Sequence, residues 1–302
     1  MEDIEAGPEQ ASQTHYDNII PTGWLTAYGR TFTDIPYARE VFQAIDDMRG
    51  EGDSAAVMAV MKDTGLAPQF EARHKLLNRL INTTGIKQVL EVAAGLSTRG
   101  MEMTEDPNVT YVETDLPAMT TDKRHIVQAL EEQGTLPHRP NLFIEPGSAV
   151  TRDDMLTLGR CFDPDKPLVV MNEGLLRYLT FEEKAAYAEN VKALLQQFGG
   201  VWITSDISLP QVVYKEEDVM ADRRKKISEV TGINVADNLF VDEAEARNYF
   251  EKFGFEVESH SFLEVLNELT SPSALNMDPE YVRAINESAV CFVMRLDEQE
   301  AA

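Results

Sequence analysis

The sequence predicts an α/β fold built on a parallel sheet, and three observations carry that reading. Five short apolar runs recur through the middle of the chain: KQVLEVA, VTYVETD (109–115), NLFIEP (141–146), PLVVMN (167–172) and VWITSDI (201–207). A helix-like segment separates each run from the next. Strands and helices alternating at these lengths are the pattern of crossover units whose sheet is parallel and covered on both faces. Finally, the chain has 302 residues, long enough to bury a sizeable core.

The elements follow in order. Residues 1 to about 18, MEDIEAGPEQASQTHYDN, are polar and acidic and read as a flexible arm; they lack the basic and apolar regions of a signal peptide. From about 22 to 85 the pattern is helical and reads as a cap. YAREVFQAIDDM puts Ala38, Val41, Phe42 and Ile45 on one face, and PQFEARHKLLNRLI does the same with Phe70, His74, Leu77 and Leu80 or Ile81. The first strand starts near Lys87 and gives way to a helix near Ser97. TTDKRHIVQALEEQG and TRDDMLTLGRCF are the helices after the second and third strands, and TFEEKAAYAENVKALLQQF, ended by Gly199 and Gly200, follows the fourth. Residues 208–240 are an insertion after the fifth strand, with DRRKK (222–226) as a solvated helix face. DEAEARNYFEKFG then begins at an Asp242 N-cap with Glu245 three residues on, the capping-box spacing. FEVESH (255–260) is a sixth strand and AVCFVMRL (289–296) a seventh with no helix after it, which suggests an antiparallel insertion at the sheet edge. The expected organisation is one domain, 1–302, with an α/β core over 86–302.

Twenty-seven Lys and Arg against 52 Asp and Glu give a formal charge of −25. Such a surface repels phosphate backbones and anionic lipid, which argues against nucleic acid and membranes as partners. No run approaches the roughly 18 apolar residues of a membrane span. Cys161 and Cys291 lie far apart, without metal-ligand spacing to another Cys or His; no disulfide framework or metal site is expected, and a cytoplasmic location fits.

The stretch VLEVAAGLSTRG carries the first functional signal. An apolar strand runs into one acid, Glu91, and then into a cluster of very small residues, Ala93, Ala94, Gly95 and Ser97. In a doubly wound sheet, ligands sit at the carboxyl ends of the strands. Small residues there let the backbone approach a ligand, and Gly95 can take a positive φ. A tight turn with no ligand explains the stretch equally well taken alone. The second strand adds weight: it ends in YVETDLP, placing Asp115 20 residues after Gly95, where a carboxylate can accept both hydroxyls of a ribose. Dinucleotides and S-adenosylmethionine are the two cofactor classes held this way. The loop lacks the further glycines and the phosphate site a dinucleotide needs.

VLEVAAGLSTRG, YVETDLP and VVMNEGLLRYLTFEEK, in this order and spacing, resemble the leucine carboxyl methyltransferase family, and more closely its bacterial branch of tetracenomycin-type O-methyltransferases. TAYGRTFTDIPYA (26–38) is similar to that branch's N-terminal helical region, and the resemblance spans roughly 22 to 296. It implies a Rossmann-like class I methyltransferase fold, with seven strands, the last antiparallel, and S-adenosyl-L-methionine as cofactor. It implies that Gly95 and the backbone at Ala93 hold the methionine end, that Asp115 takes the ribose hydroxyls, that Glu173 contacts the cofactor near its amino group, and that Arg73 reaches its carboxylate. Glu91 and Ser148 complete the cofactor set, and Tyr178 faces the substrate. The chain departs from the family's pattern at Ala93, where glycine is usual, at Ser97, where Asp is usual, at the Gly147–Ser148 step, which replaces an Asp beside the adenine, and at Arg177, where an apolar residue is usual.

The expected function is O-methylation of a small molecule. A carboxylate acceptor needs positioning rather than a base, whereas a phenol or alcohol needs a base, and no His lies in the matching motifs. Arg177 is the candidate cation for an acidic acceptor. The cap and the 208–240 insertion are expected to cover the acceptor site. A regulatory protein that binds the cofactor on the same fold without turnover is the alternative, and a nicotinamide oxidoreductase is a third reading.

Overall fold

In a computed structural model, residues 20–49 and 64–297 are described; the arm expected at 1–18 lies outside them. The strands are β1 (Gln88–Val92), β2 (Thr110–Asp115), β3 (Leu142–Pro146), β4 (Leu168–Asn172) and β5 (Gly200–Ser208), a small hairpin β6 (Val213–Tyr214) and β7 (Glu217–Asp218), then β8 (Phe255–Ser261) and β9 (Ala289–Leu296). The cap helices are α1 (Ile20–Arg30), α2 (Ala38–Arg49) and α3 (Ala67–Thr84). The rest are α4 (Arg99–Met103), α5 (Pro117–Glu132), α6 (Arg152–Leu158), α7 (Phe181–Phe198), α8 (Ala221–Thr231), α9 (Glu243–Glu251), α10 (Ser271–Ala274) and α11 (Pro279–Glu287).

Seven strands form one sheet in the order β3-β2-β1-β4-β5-β9-β8. The pairs from β3 to β5 are parallel, and β9 runs antiparallel to both neighbours, the sheet the resemblance implies. The strands alternate between two buried faces, as a period of two requires. Leu90, Val92, Val112, Val170 and Trp202 pack with α6, α7 and α9 on one face. Val89, Tyr111, Val169, Met171 and Ile203 pack on the other against Leu76, Leu77, Leu80 and Ile81 of α3.

The last strand is the antiparallel insertion near the sheet edge that the sequence suggests. It enters between β5 and β8, so β8 forms the edge. The burial explains why. Five of the first six residues of β9 are buried, whereas in β8 only Phe255 is buried and the rest are half-buried or exposed, which an edge tolerates. At α9 the Asp242 cap is present, its side chain accepting the Glu245 N–H at 2.8 Å. The reciprocal bond falls one residue early: Glu245 accepts from the Val241 N–H at 2.6 Å. Of the basic run in α8, Lys225 and Lys226 are exposed, while Arg224 pairs with Asp218.

Two features position the site. The order reverses at β1, with β2 on one side and β4 on the other, opening a crevice beyond their carboxyl ends. The cap closes over it because Gly29 of α1 lies against Phe70 of α3: a Cβ at Gly29 would stand 2.6 Å from the Phe70 ring. That approach brings the next residue, Arg30, to the inner wall. No helix among the described residues is long and apolar enough to cross a membrane.

Candidate active site

The crevice is a cleft with about 1370 Å³ of empty space. All nine residues singled out from the sequence line it: Arg73, Glu91, Ala93, Gly95, Asp115, Ser148, Glu173, Arg177 and Tyr178. They come from α3, from β1 and the end of β2, from the loops after β1, β3 and β4, and from the turn before α7. The cap adds Thr22, Leu25, Thr26, Arg30 and Leu66, and the insertion adds Ile227 of α8.

The β1 loop is held from below. The Ala94 N–H donates to the Thr114 carbonyl at 3.1 Å and the Ser97 N–H to the Ala94 carbonyl at 2.9 Å, which folds the small residues into a turn. Lys123, buried in α5, donates to the Ser97 carbonyl and pairs with Glu113 at 2.8 Å. Burial, with Glu91 adding to it, raises the Glu113 carboxyl despite that pairing. Gly95 takes the left-handed backbone at φ 51°, and so does Ala93 at φ 56°, a conformation that costs an L side chain about 1–2 kcal/mol.

Asp115 closes the other side of this loop. Its Oδ2 accepts the Gly95 N–H at 2.7 Å and its Oδ1 the Leu116 N–H at 2.7 Å. Each oxygen keeps acceptor capacity toward the cleft. Burial outweighs both N–H bonds and the charge of Lys123, and the Asp115 carboxyl is raised above its ordinary value. The Gly147–Ser148 step after β3 is anchored by Asp154 of α6, whose Oδ2 accepts the Ser148 N–H at 2.9 Å.

Glu173, just past β4, is where three arginines meet. Arg30 and Arg73 donate to Oε1, Arg73 through Nε at 2.9 Å, and Arg99 donates to Oε2 at 2.7 Å. Burial alone would raise the Glu173 carboxyl, but the three cations prevail and hold it well below the usual carboxylate range. Arg99 also donates to Glu91 Oε1 at 2.6 Å, and the Tyr111 hydroxyl donates to Glu91 Oε2 at 2.7 Å. Glu91 thus spends its bonds on Arg99 and Tyr111. His74 stacks behind this cluster; burial first, then the neighbouring Arg99, pushes its pKa down to about 4.

The β4 loop is fixed by Asp206 of β5. Its carboxylate accepts three successive backbone N–H groups, from Gly174 at 2.6 Å, Leu175 at 2.7 Å and Leu176 at 3.0 Å, and the Asn172 side chain at 2.8 Å. Arg177 and Tyr178 follow directly. Arg177 donates through Nη2 to Ser208 at 3.3 Å, and its Nε is buried without a hydrogen-bond partner. Tyr178 is buried against Ile227, Ile233 and Val235.

Sequence reasoning missed Arg30, Arg99, Asp154 and Asp206. Arg99 left a signal, since a lone carboxylate inside an apolar strand, as at Glu91, requires a buried partner. The residues present fit S-adenosylmethionine. Asp115 offers acceptors for a ribose, the turn at Ala93–Gly95 gives access to backbone, and Arg30 has a buried Nε with no hydrogen-bond partner beside the cleft. Among the described residues, no group of three or more His, Cys, Asp or Glu could hold a metal ion.

Comparison with known proteins bears on the family and the fold. The family model described as leucine carboxyl methyltransferase matches residues 35–192. A protein of Mycobacterium bovis provisionally named an S-adenosyl-L-methionine-dependent methyltransferase is 25% identical over 189 residues, 61% of each chain. One of the same description from a Mycobacterium species, strain KMS, is 27% identical over 203 residues, 65% of this chain and 63% of the relative. The match thus spans less than two thirds of these relatives. A DUF574 family protein from Streptomyces avermitilis, solved by crystallography, shares the fold at a TM-score of 0.54 and 17% identity, covering 90% of this chain and 97% of the other.

Proposed function

Because the chain belongs to the leucine carboxyl methyltransferase family, we propose that it is an S-adenosyl-L-methionine-dependent methyltransferase that methylates a carboxylate oxygen of a small molecule. The observation that carries the reading is the junction of Gly95 with Asp115, whose 2.7 Å bond ties the small-residue loop to the ribose acceptor at the mouth of the cleft.

When bound, the cofactor would supply an electrophilic methyl carbon on a sulfonium, which an acceptor oxygen would take while the carbon–sulfur electron pair stays on sulfur. The carboxylate and sulfonium charges cancel, and no proton is released. The chain's task is therefore to bind, orient and exclude water. Asp115 holds a ribose through charge-assisted bonds. Arg30 and Arg73 hold a cofactor carboxylate, drawing on the cationic excess around Glu173. The cap and Ile227 keep water out. Arg177 holds the acceptor carboxylate through one oxygen and leaves the other free to react.

Two features favour a carboxyl over a hydroxyl acceptor. Among the described residues lining the cleft there is no His, Lys or Cys to serve as a base for a hydroxyl, and the carboxylates Glu91, Asp115 and Glu173 are held by Arg99 and Tyr111, by two backbone N–H groups and by three arginines. Arg177 supplies a cation where a strongly acidic protein would otherwise repel an anion. The test begins with titration calorimetry of S-adenosylmethionine and its demethylated product. Labelled cofactor is then incubated with a panel of carboxylic acids and phenols, and the products are treated with mild base. Methyl esters release labelled methanol and aryl ethers do not. Label that survives base, formed only from phenols, overturns the carboxylate reading; binding without turnover would leave a binding protein.

A further inference from the structure

The cleft's wall chemistry narrows the acceptor class. Its three carboxylates, Glu91, Asp115 and Glu173, all sit at the ends of β1, β2 and β4. Part of the surface from the cap, the turn before α7 and the insertion is apolar. Leu25, Leu66 and Phe70 form part of one apolar cluster, Tyr178 and Ile227 part of another, and all five line the cleft. The two clusters meet the same space.

Arg177 directly precedes Tyr178. Arg30, Arg73 and Arg99 share Glu173; Arg177 makes no ion pair among the described residues. Ser208 is the one hydrogen-bond partner of its guanidinium there, at 3.3 Å, and its Nε is buried with none. A half-buried guanidinium left without a counter-charge between apolar walls is matched by a ligand with one anionic end and an apolar body. A polar acid such as a hydroxy acid or amino acid would bury its other polar groups against Leu25, Leu66, Phe70 and Ile227 without partners.

We propose that the acceptor is a hydrophobic carboxylic acid, with its carboxylate on Arg177 and its alkyl or aryl body between the Leu25–Leu66–Phe70 wall and the Tyr178–Ile227 wall. The inference rests on the proposed methyl transfer but is separable from it, because the binding step can be read without turnover.

The experiment is titration calorimetry of straight-chain acids from butanoic to decanoic acid, with and without saturating S-adenosylhomocysteine. Affinity should rise about threefold to fourfold with each methylene until the body fills the walls. Arg177→Met should weaken each acid at least tenfold while leaving the primary alcohol of the same chain length unchanged, and Arg177→Lys should recover part of the loss. Ile227→Asp should abolish the chain-length dependence. Thermal midpoints of all three variants within a few degrees of the parent exclude misfolding. Affinity independent of chain length, or decanoate bound as tightly by Arg177→Met as by the parent, overturns the proposal. Failure of S-adenosylhomocysteine to bind counts against the proposed activity and leaves the acid series to judge the acceptor site by itself. Acids that bind as expected but are never esterified uphold the site and refute the transfer.

Discussion

The two sides of the cleft are built on opposite rules. On the strand side every ionised group has its partners within the protein: Glu173 engages three arginines, Glu91 engages Arg99 and Tyr111, and Asp115 accepts two backbone N–H groups. Facing it, Leu25, Leu66 and Phe70 of the cap and Tyr178 and Ile227 form apolar walls, and Arg177 beside them is without a counter-charge among the described residues. A buried charge network is rigid because breaking any member leaves another uncompensated. An apolar wall with one free cation has little to lose by substitution. The first arrangement suits a ligand held in one fixed pose, and the second tolerates substitution.

The largest test of this contrast is Glu173→Gln. It leaves Arg30, Arg73 and Arg99 facing one another across a buried space, and stability should fall by about 3–5 kcal/mol, the usual result of orphaning a buried charge. Arg177→Met should stay within about 0.5 kcal/mol of the parent. Urea denaturation of both variants reads the difference directly. If the two midpoints shift alike, the two sides do not differ as described.

Next in size is the pH dependence of the same cluster. His74 is neutral in the folded protein with a pKa lowered to about 4 from 6.5. Between those values the unfolded chain binds a proton that the folded chain does not. Stability contributed by neutral His74 is therefore complete above pH 6.5 and is lost as pH falls through about 4, amounting to about 3 kcal/mol over the window. Chemical denaturation at a series of pH values should show the slope, and His74→Gln should flatten it.

Binding comes third. Asp115→Ala removes two charge-assisted bonds to a ribose, roughly 2–4 kcal/mol or about 30- to 1000-fold in cofactor affinity by calorimetry. Unchanged affinity in a folded variant would remove Asp115 from the site and with it the strand side's claim to be the cofactor side.

The same contrast explains what the sequence made legible. The strand order on the parallel side follows from apolar runs and crossover lengths, and Gly95, Asp115 and Glu173 are visible because they sit where strands end. Their partners are not local: Arg30 reaches Glu173 across 143 positions, Arg99 across 74, and Asp206 holds the Gly174 N–H across 32. Pairing at that range is decided by tertiary packing, here the approach of Gly29 to Phe70 and the β4–β5 register. The sequence reads β9 only as an antiparallel insertion near the sheet edge and leaves its exact neighbour open, since a short apolar strand reads the same at an edge or one place inside it. On the acceptor side, Leu66 and Ile227 look like ordinary core residues, because apolar pocket walls and apolar cores use the same side chains.

The smallest expected effect is the most local. Ala93 holds a left-handed backbone at φ 56° in the loop that approaches the cofactor. Its Cβ makes that conformation unfavourable by about 1–2 kcal/mol, and the Ser97 and Thr114 bonds of the turn hold it there. Ala93→Gly relieves the strain but adds freedom to the unfolded chain, a cost of about 0.4–1 kcal/mol. The balance is a gain of roughly 0.5–1 kcal/mol, read as a slightly higher urea midpoint with an unchanged slope. Cofactor affinity separates two origins for the strain. If the loop is already fixed in its binding shape by Asp115 and Lys123, affinity should move less than threefold, because the backbone presented to the ligand is the same. An affinity loss of tenfold or more would mean that the alanine, not the surrounding bonds, keeps the loop in place, and the rigidity ascribed to the strand side would then rest on one methyl group.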